Sequence, residues 1–107
     1  MIARGRIRDK EMNRTEARYA GELDLRQKVG EIAWYAFEGV TLKLGFDCRY
    51  TPDFAVMLAN GELEMHEVKG FFRDDALVKI RTAATIFPFR FMLARLEKGA
   101  FNVQEVK

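Results

Sequence analysis

The chain has 107 residues, of which 49% are hydrophobic and 32% charged, and its formal net charge is +2. This balance predicts one globular domain with one core and excludes an intrinsically disordered chain. The net charge is too small to attract nucleic acid through a global field. Because there is one cysteine and one histidine, an internal disulfide and a thiolate or multi-histidine metal site are also excluded.

The same composition indicates a cellular location. A lone cysteine is typical of a reducing compartment, and we expect Cys48 to be a buried or half-buried small residue. The sequence contains no apolar run of membrane-spanning length and no recognisable signal peptide. We therefore predict a cytoplasmic protein without membrane contacts.

Residues 1–12 show no hydrophobic periodicity and are predicted to form a basic, flexible arm before a single domain over residues 13–107. The first eighteen residues carry six cations: Arg4, Arg6, Arg8, Lys10, Arg14 and Arg18. Three acids oppose them, so the segment has a local positive excess. It could contact phosphates, or it could be only a solubilising tail.

Asn13 and Glu16 predict the start of the first helix, because their spacing matches a capping box. The helix should run to about Val29 and stop at Gly30. Its predicted core-facing stripe consists of Glu16, Tyr19, Ala20 and Leu23. Glu16 therefore lies on the inner side of the helix start.

Strands are predicted after this helix. Residues 31–37 include Ile32, Trp34, Tyr35 and Phe37, which favour β structure. Residues 38–39 can turn, residues 40–44 continue as a strand, and residues 45–49 are predicted to link to the next element. Trp34 and Tyr35 should point to opposite faces and serve mainly in packing.

A hairpin over residues 50–70 is the strongest local signal, because two apolar runs flank Asn60-Gly61. A two-residue loop would turn Asp53 and Glu67 to opposite faces. A three-residue loop with Gly61 in the left-handed conformation places them directly opposite each other. We predict the three-residue register, in which two carboxylates with Lys69 beside them suit a divalent cation.

After Lys69, a second helix is predicted over residues 75–86, with Asp74 as its N-cap and Pro88 after its end. Its inner row contains Leu77, Ile80, Ala83, Ala84 and Phe87. Residues 89–95 should form a strand parallel to the one before the helix, and residues 101–105 an edge strand. The element order predicts an α+β fold, a central mixed β-sheet flanked by helices.

Pro52-Asp53 followed by Glu67-Val68-Lys69 resembles the PD-(D/E)XK nuclease motif. Over residues 13–94 the chain also resembles small phage and prophage endonucleases, which are similar to Holliday-junction resolvases of the endonuclease I type. The resemblance implies a restriction-endonuclease-like core and a Mg²⁺-dependent endodeoxyribonuclease, in which Mn²⁺ can substitute. It also implies a phage-encoded homodimer that acts on DNA, including branched DNA, with no nucleotide cofactor.

The resemblance implies catalytic roles for Asp53, Glu67 and Lys69, with Asp53, Glu67 and the Val68 carbonyl as metal ligands. Glu16 is either a further ligand, as in endonuclease I type enzymes, or only the capping acid. Lys69 would orient or deprotonate water, or stabilise charge. His66 faces away from this site and is expected to be a surface or packing residue.

Four cations outside the motif are candidate DNA contacts: Arg14, Arg18, Arg73 and Lys79. For Lys79 a solvated helix face is the simpler interpretation. Two other functions stay open at this point. One is a non-catalytic DNA-binding module that retains the nuclease fold, and the other is a phage assembly or interaction protein.

Overall fold

The computed structural model describes residues 11–70 and 74–107, without the side chains of residues 74 and 75. The predicted arm up to Lys10, the candidate Arg73 and the side chain of the predicted cap Asp74 lie outside what it describes. The elements in chain order are α1 (Arg14–Lys28), β1 (Ile32–Phe37), β2 (Leu42–Gly45), β3 (Cys48–Tyr50), β4 (Phe54–Leu58), β5 (Leu63–Lys69), α2 (Asp74–Ile86), β6 (Arg90–Glu97) and β7 (Ala100–Val106). Within these ranges, neither helix has the length and apolar character needed to cross a bilayer.

Five strands form one mixed sheet in the order β1-β4-β5-β6-β7. The β5–β6 pair is parallel and the other pairs are antiparallel. The α+β class and the parallel connection through α2 are confirmed, since a parallel neighbour needs a crossover and α2 supplies it. β7 is the predicted edge strand.

The start of α1 is fixed by its own sequence. The Asn13 side chain accepts a hydrogen bond from the Glu16 N–H at 2.8 Å, and the Glu16 carboxylate accepts one from the Asn13 N–H at 2.9 Å. This reciprocal pair is the predicted capping box. The helix ends before Gly30, whose φ of 87° is a left-handed conformation that glycine adopts without steric cost.

Each face of the large sheet carries its own core, because side chains alternate along a strand. On one face, Tyr19 and Leu23 of α1 pack against Phe54 and Val56 of β4 and Val68 of β5. On the other face, the second core contains Ile80 and Ala83 of α2, Ala55 and Met65 of the sheet, and Leu42 and Tyr50. The two helices therefore cover opposite faces.

The predicted three-residue register of the β4–β5 hairpin is confirmed. Phe54 pairs with His66 and Met57 with Leu63. The Leu58 N–H donates to the Glu62 carbonyl at 2.8 Å, and Gly61 has a φ of 93°. Glycine tolerates this left-handed position, which sets the loop length and thereby the face of every side chain beyond it.

Three local predictions are wrong. Residues 40 and 41 precede β2 rather than belonging to it, and residues 45–49 are not a simple link, because β3 pairs with β2 in a separate two-stranded hairpin. Asp47 closes its turn with a φ of 57°, a conformation that a short polar side chain tolerates better than most. Cys48 is exposed rather than buried, since the hairpin tip projects from the core.

Candidate functional site

Two carboxylates meet at the open end of the β4–β5 hairpin. Because Phe54 pairs with His66, one further step in the same register brings Asp53 opposite Glu67. The Asp53 carbonyl accepts a 2.8 Å hydrogen bond from the Glu38 N–H, which fixes the backbone just before β4. Opposed residues in an antiparallel pair have Cβ atoms about 5 Å apart, so the two acids form one site.

The Glu67 carboxylate is only 6% exposed and has a partner on each oxygen. The Tyr50 hydroxyl donates to Oε1 at 2.7 Å, and the Lys69 ammonium lies 3.1 Å from Oε2. Lys69 reaches Glu67 because residues two apart on a strand share a face. The sequence analysis did not identify Tyr50 as a site residue. The one sequence signal that the β2–β3 segment packs on the sheet face of Glu67 is the apolar alternation of Val40, Leu42 and Leu44.

Asp53 and Glu67 are two acids so close together that it is unfavourable for both to be ionised. Burial first, and then the facing Glu67 carboxylate, raise the pKa of Asp53 from its ordinary 3.8 to about 7. The hydrogen bond from Val68 and the charge of Lys69 oppose this shift of the Asp53 pKa without cancelling it. Burial and the Glu67 charge likewise raise the pKa of the Tyr50 hydroxyl, which keeps it a donor.

The Val68 carbonyl is a candidate backbone ligand, because the residue opposite it is Pro52. The Val68 N–H donates to Oδ2 of Asp53 at 2.8 Å. In the continued register Pro52 lies opposite Val68, and proline has no N–H to donate to the Val68 carbonyl. The N–H and C=O of one strand residue point to the same neighbour, so this carbonyl is directed to the edge at which Asp53 lies.

This donor set fits a hard divalent cation. A carboxylate oxygen offers two lone pairs, so Asp53 and Glu67 retain acceptor capacity beyond the bonds described. Mg²⁺ takes oxygen ligands and is usually held by one or two carboxylates together with waters and phosphate. Among the described residues no three Asp, Glu, His or Cys side chains come together as a metal cluster, so the protein would supply two carboxylates and the Val68 carbonyl.

Glu16 lies near the acidic pair but is engaged in its cap. Its charge contributes to raising the Asp53 pKa, and the first turn of α1 approaches the end of β5, where a Cβ on Gly70 would lie 3.4 Å from Thr15 Oγ1. Its Oε1 accepts the Asn13 N–H. The capping role is observed, and a ligand role for Glu16 stays a prediction.

The described candidates for DNA contacts lie on α1 and α2. Arg14 is exposed, and Arg18 is exposed while its guanidinium donates to the Gly99 carbonyl in the β6–β7 turn. Lys79 is exposed, and its ammonium lies 3.3 Å from the Arg49 carbonyl of β3. The side chain of Lys79 thus extends from α2 to the β2–β3 hairpin.

A buried polar chain lies on the opposite face of the sheet and was not anticipated in sequence. His66, only 1% exposed, contacts the Tyr19 hydroxyl through Nδ1 at 2.6 Å and Glu64 through Nε2 at 2.9 Å. The Arg90 guanidinium, 3.0 Å from the Glu64 carboxylate, is the last member of this series of polar contacts. The hydrogen bond from His66 is the main cause that lowers the Glu64 pKa. His66 therefore packs inside the fold, away from the acidic pair.

Comparison of the chain with protein-family models, with curated proteins and with solved structures gives no match.

Proposed function

We propose that this chain is a metal-dependent DNA endonuclease that hydrolyses phosphodiester bonds. One observation carries the proposal: Asp53 and Glu67 oppose each other across two strands with Lys69 paired to Glu67. Burial first, and the facing Glu67 second, raise the pKa of Asp53 to about 7, and such an acid is costly to keep without a cation. Such perturbed groups concentrate at functional sites.

The site residues have separable tasks in this proposal. Asp53, Glu67 and the Val68 carbonyl would hold Mg²⁺ or Mn²⁺. A bound divalent cation supplies a lowered water pKa and neutralises phosphate charge. Lys69, held by its ion pair, would stabilise negative charge on phosphate oxygens in the transition state. Tyr50 would orient Glu67 through its hydroxyl.

The resemblance to endonuclease I type resolvases supports branched DNA, including Holliday junctions, as the substrate. A symmetric homodimer would supply the two sites that cutting two strands requires. In the same proposal the enzyme acts on phage or prophage DNA in the cytoplasm of a bacterial host.

A cleavage assay tests the proposal. Linear duplex, flap and four-way-junction DNA are incubated with the wild type and with Asp53→Asn in Mg²⁺, in Mn²⁺ or in EDTA. We expect nicking that requires the metal and Asp53, with the junction cut fastest. Glu22→Gln, which neutralises an exposed acid on α1, is the matched control and should cut as the wild type does.

Three results would contradict the proposal in different ways. Metal-dependent DNA binding without cleavage of any substrate would favour a non-catalytic module. Absence of any metal affinity would favour an assembly or interaction protein with solvated charges. Equal cleavage by Asp53→Asn would show that the acidic pair is not the reactive centre.

A further inference from the structure

The β2–β3 hairpin ends in an aromatic side chain that packs against little. Phe46 is 90% exposed, the highest value among the large hydrophobic residues described, and it lies in the two-residue turn before Cys48. A single exposed apolar residue needs no explanation, but a whole phenyl ring in water at a protruding tip carries a large hydration cost. This makes the tip a candidate contact surface.

The root of this hairpin is rigidly anchored. Leu42 and Tyr50 pair with each other and are buried in the core beneath α2. The hydroxyls of Thr41 and Thr51 lie 2.8 Å apart just outside the paired residues. Through its own hydroxyl, Tyr50 is bonded to Glu67. The Tyr50 hydroxyl therefore links the root of the hairpin directly to the acidic pair.

The outer face of the hairpin is cationic. Lys43 pairs with Arg49, so two like charges lie directly opposite each other, and both residues are exposed. Like charges at opposed positions of a strand pair are destabilising. Lys79 adds a third cation at the Arg49 carbonyl, whereas Asp47 is the one acid in the sequence of the hairpin. An anion bound over this face would remove the repulsion.

We propose that the hairpin Leu42–Tyr50 is a DNA-binding element in which Phe46 stacks on an unpaired base while Lys43 and Arg49 contact phosphates. Exposed aromatics beside cations are the elements with which proteins hold single strands. Phe46 lies four positions before Tyr50, roughly 13 Å along an extended strand, so the ring reaches bases a few nucleotides from the acidic pair. The inference rests on the proposed function, because the contact of the root with Glu67 is what identifies the occupant as DNA.

Equilibrium binding in EDTA tests the aromatic part without cleavage. The probes are a short fluorescein-labelled single strand and a four-way junction. Phe46→Ala should weaken binding by about 5- to 150-fold, the loss expected for one base stacked on an aromatic ring. Leu25→Ala removes another exposed hydrophobic side chain, 63% exposed on α1, and should bind as the wild type does.

A conservative variant distinguishes stacking of residue 46 on a base from a purely structural role of that residue. Phe46→Trp should restore binding, and the emission that it adds to the wild-type spectrum should be quenched when DNA is bound. A spectral change of this kind requires a base against the ring, which a purely structural role of residue 46 would not give.

Salt dependence tests the cationic part. The double variant Lys43→Gln/Arg49→Gln should reduce the slope of log K against log salt by about 1.4 to 1.8, the value for two phosphate contacts. Lys28→Gln, which neutralises an exposed cation at the end of α1, should leave the slope unchanged.

The possible failures are distinguishable. Wild-type binding and cleavage that persist in Phe46→Ala and in the double variant would overturn the hairpin assignment and leave the nuclease proposal intact. Hairpin-dependent binding without metal-dependent cleavage would overturn the nuclease proposal alone. Binding to anionic lipid vesicles in place of DNA, lost in Phe46→Ala, would overturn the inference and assign the tip to a membrane surface.

Discussion

The Tyr50 hydroxyl donates a 2.7 Å hydrogen bond to Oε1 of Glu67, which joins the β2–β3 hairpin to the strand that carries the acidic pair. Glu67 is thereby held between a neutral donor and the Lys69 ammonium, and its oxygens keep further lone pairs for a cation. The bond connects two parts of the proposed enzyme, the root of the hairpin that would hold DNA and the carboxylate that would hold the metal.

Removing this hydroxyl should weaken the metal site more than the fold. In Tyr50→Phe we expect the apparent Mg²⁺ affinity in the cleavage assay to fall by about 10- to 100-fold, the usual effect of losing an outer-shell partner. The free energy of unfolding in urea should fall by about 1.5 to 3 kcal/mol, since the lost bond is to a buried charged group. Tyr35→Phe removes a hydroxyl bonded to Asp24 away from the site and should leave Mg²⁺ affinity unchanged.

The raised pKa of Asp53 predicts an unusual pH dependence of stability. Between about pH 4 and pH 7 the folded state binds a proton at Asp53 that the unfolded chain has released. Stability in EDTA should therefore fall as the pH rises through this window, and the contribution of Asp53 should be constant above it. After allowance for partial exposure, the loss is on the order of 3 kcal/mol.

The comparison that isolates this effect is with Asp53→Asn, whose amide oxygen can still accept the Val68 N–H. Urea unfolding of both proteins at pH 5 and pH 8 gives the difference directly. The variant should be the more stable protein at pH 8 and about equal to the wild type at pH 5. A wild type that gains stability relative to Asp53→Asn between these values would contradict the assignment.

Magnesium should relieve the repulsion between the two acids. At pH 8 and a Mg²⁺ concentration about 100 times the dissociation constant, the free energy of unfolding should rise by about 2.7 kcal/mol. Neither Asp53→Asn nor Glu67→Gln should show this stabilisation, whereas Glu22→Gln should. Differential scanning calorimetry with and without Mg²⁺ measures it, and equal stabilisation of all four proteins would argue against the acidic pair as ligands.

Lys69→Ala should separate catalysis from binding. We expect kcat for nicking to fall by roughly 10²- to 10⁴-fold, since the lost group acts on the reacting phosphate or water. The melting transition should remain cooperative, because Lys69 is only partly buried. Lys28→Ala provides an exposed lysine as the control. Unchanged nicking by Lys69→Ala would rule out its assigned role.

The buried polar chain predicts a stability effect of the opposite pH sense. Because the pKa of Glu64 is lowered in the folded state, its contribution is present above the unfolded value and is lost as the pH falls through the folded value. Glu64→Gln should therefore cost about 2 to 4 kcal/mol at pH 7 and less near pH 3. Glu62→Gln alters an exposed acid of the same ion cluster and should change the unfolding free energy by less than about 0.5 kcal/mol. A cost at pH 3 as large as that at pH 7 would argue against this account.

Features that depend on neighbours along the chain were predictable from the amino-acid sequence. Asn13 and Glu16 cap α1, and Gly61 sets the loop length that turns Asp53 and Glu67 to one face. The hydrophobic periodicity that predicts the two helices is local in the same sense. In each case the deciding residues lie within a few positions of one another, so their conformations are limited before any docking occurs.

Contacts between groups far apart in the chain depend on how the helices and strands pack in three dimensions. Tyr50 reaches Glu67 because residues 45–49, predicted as a link, complete a short hairpin with β2 that docks beneath α2. Tyr19 and His66 are 47 positions apart and meet because α1 covers one face of the sheet. Three- and four-residue strands carry too little pattern to be recognised, and partners across elements are chosen by packing of the whole core rather than by local preference.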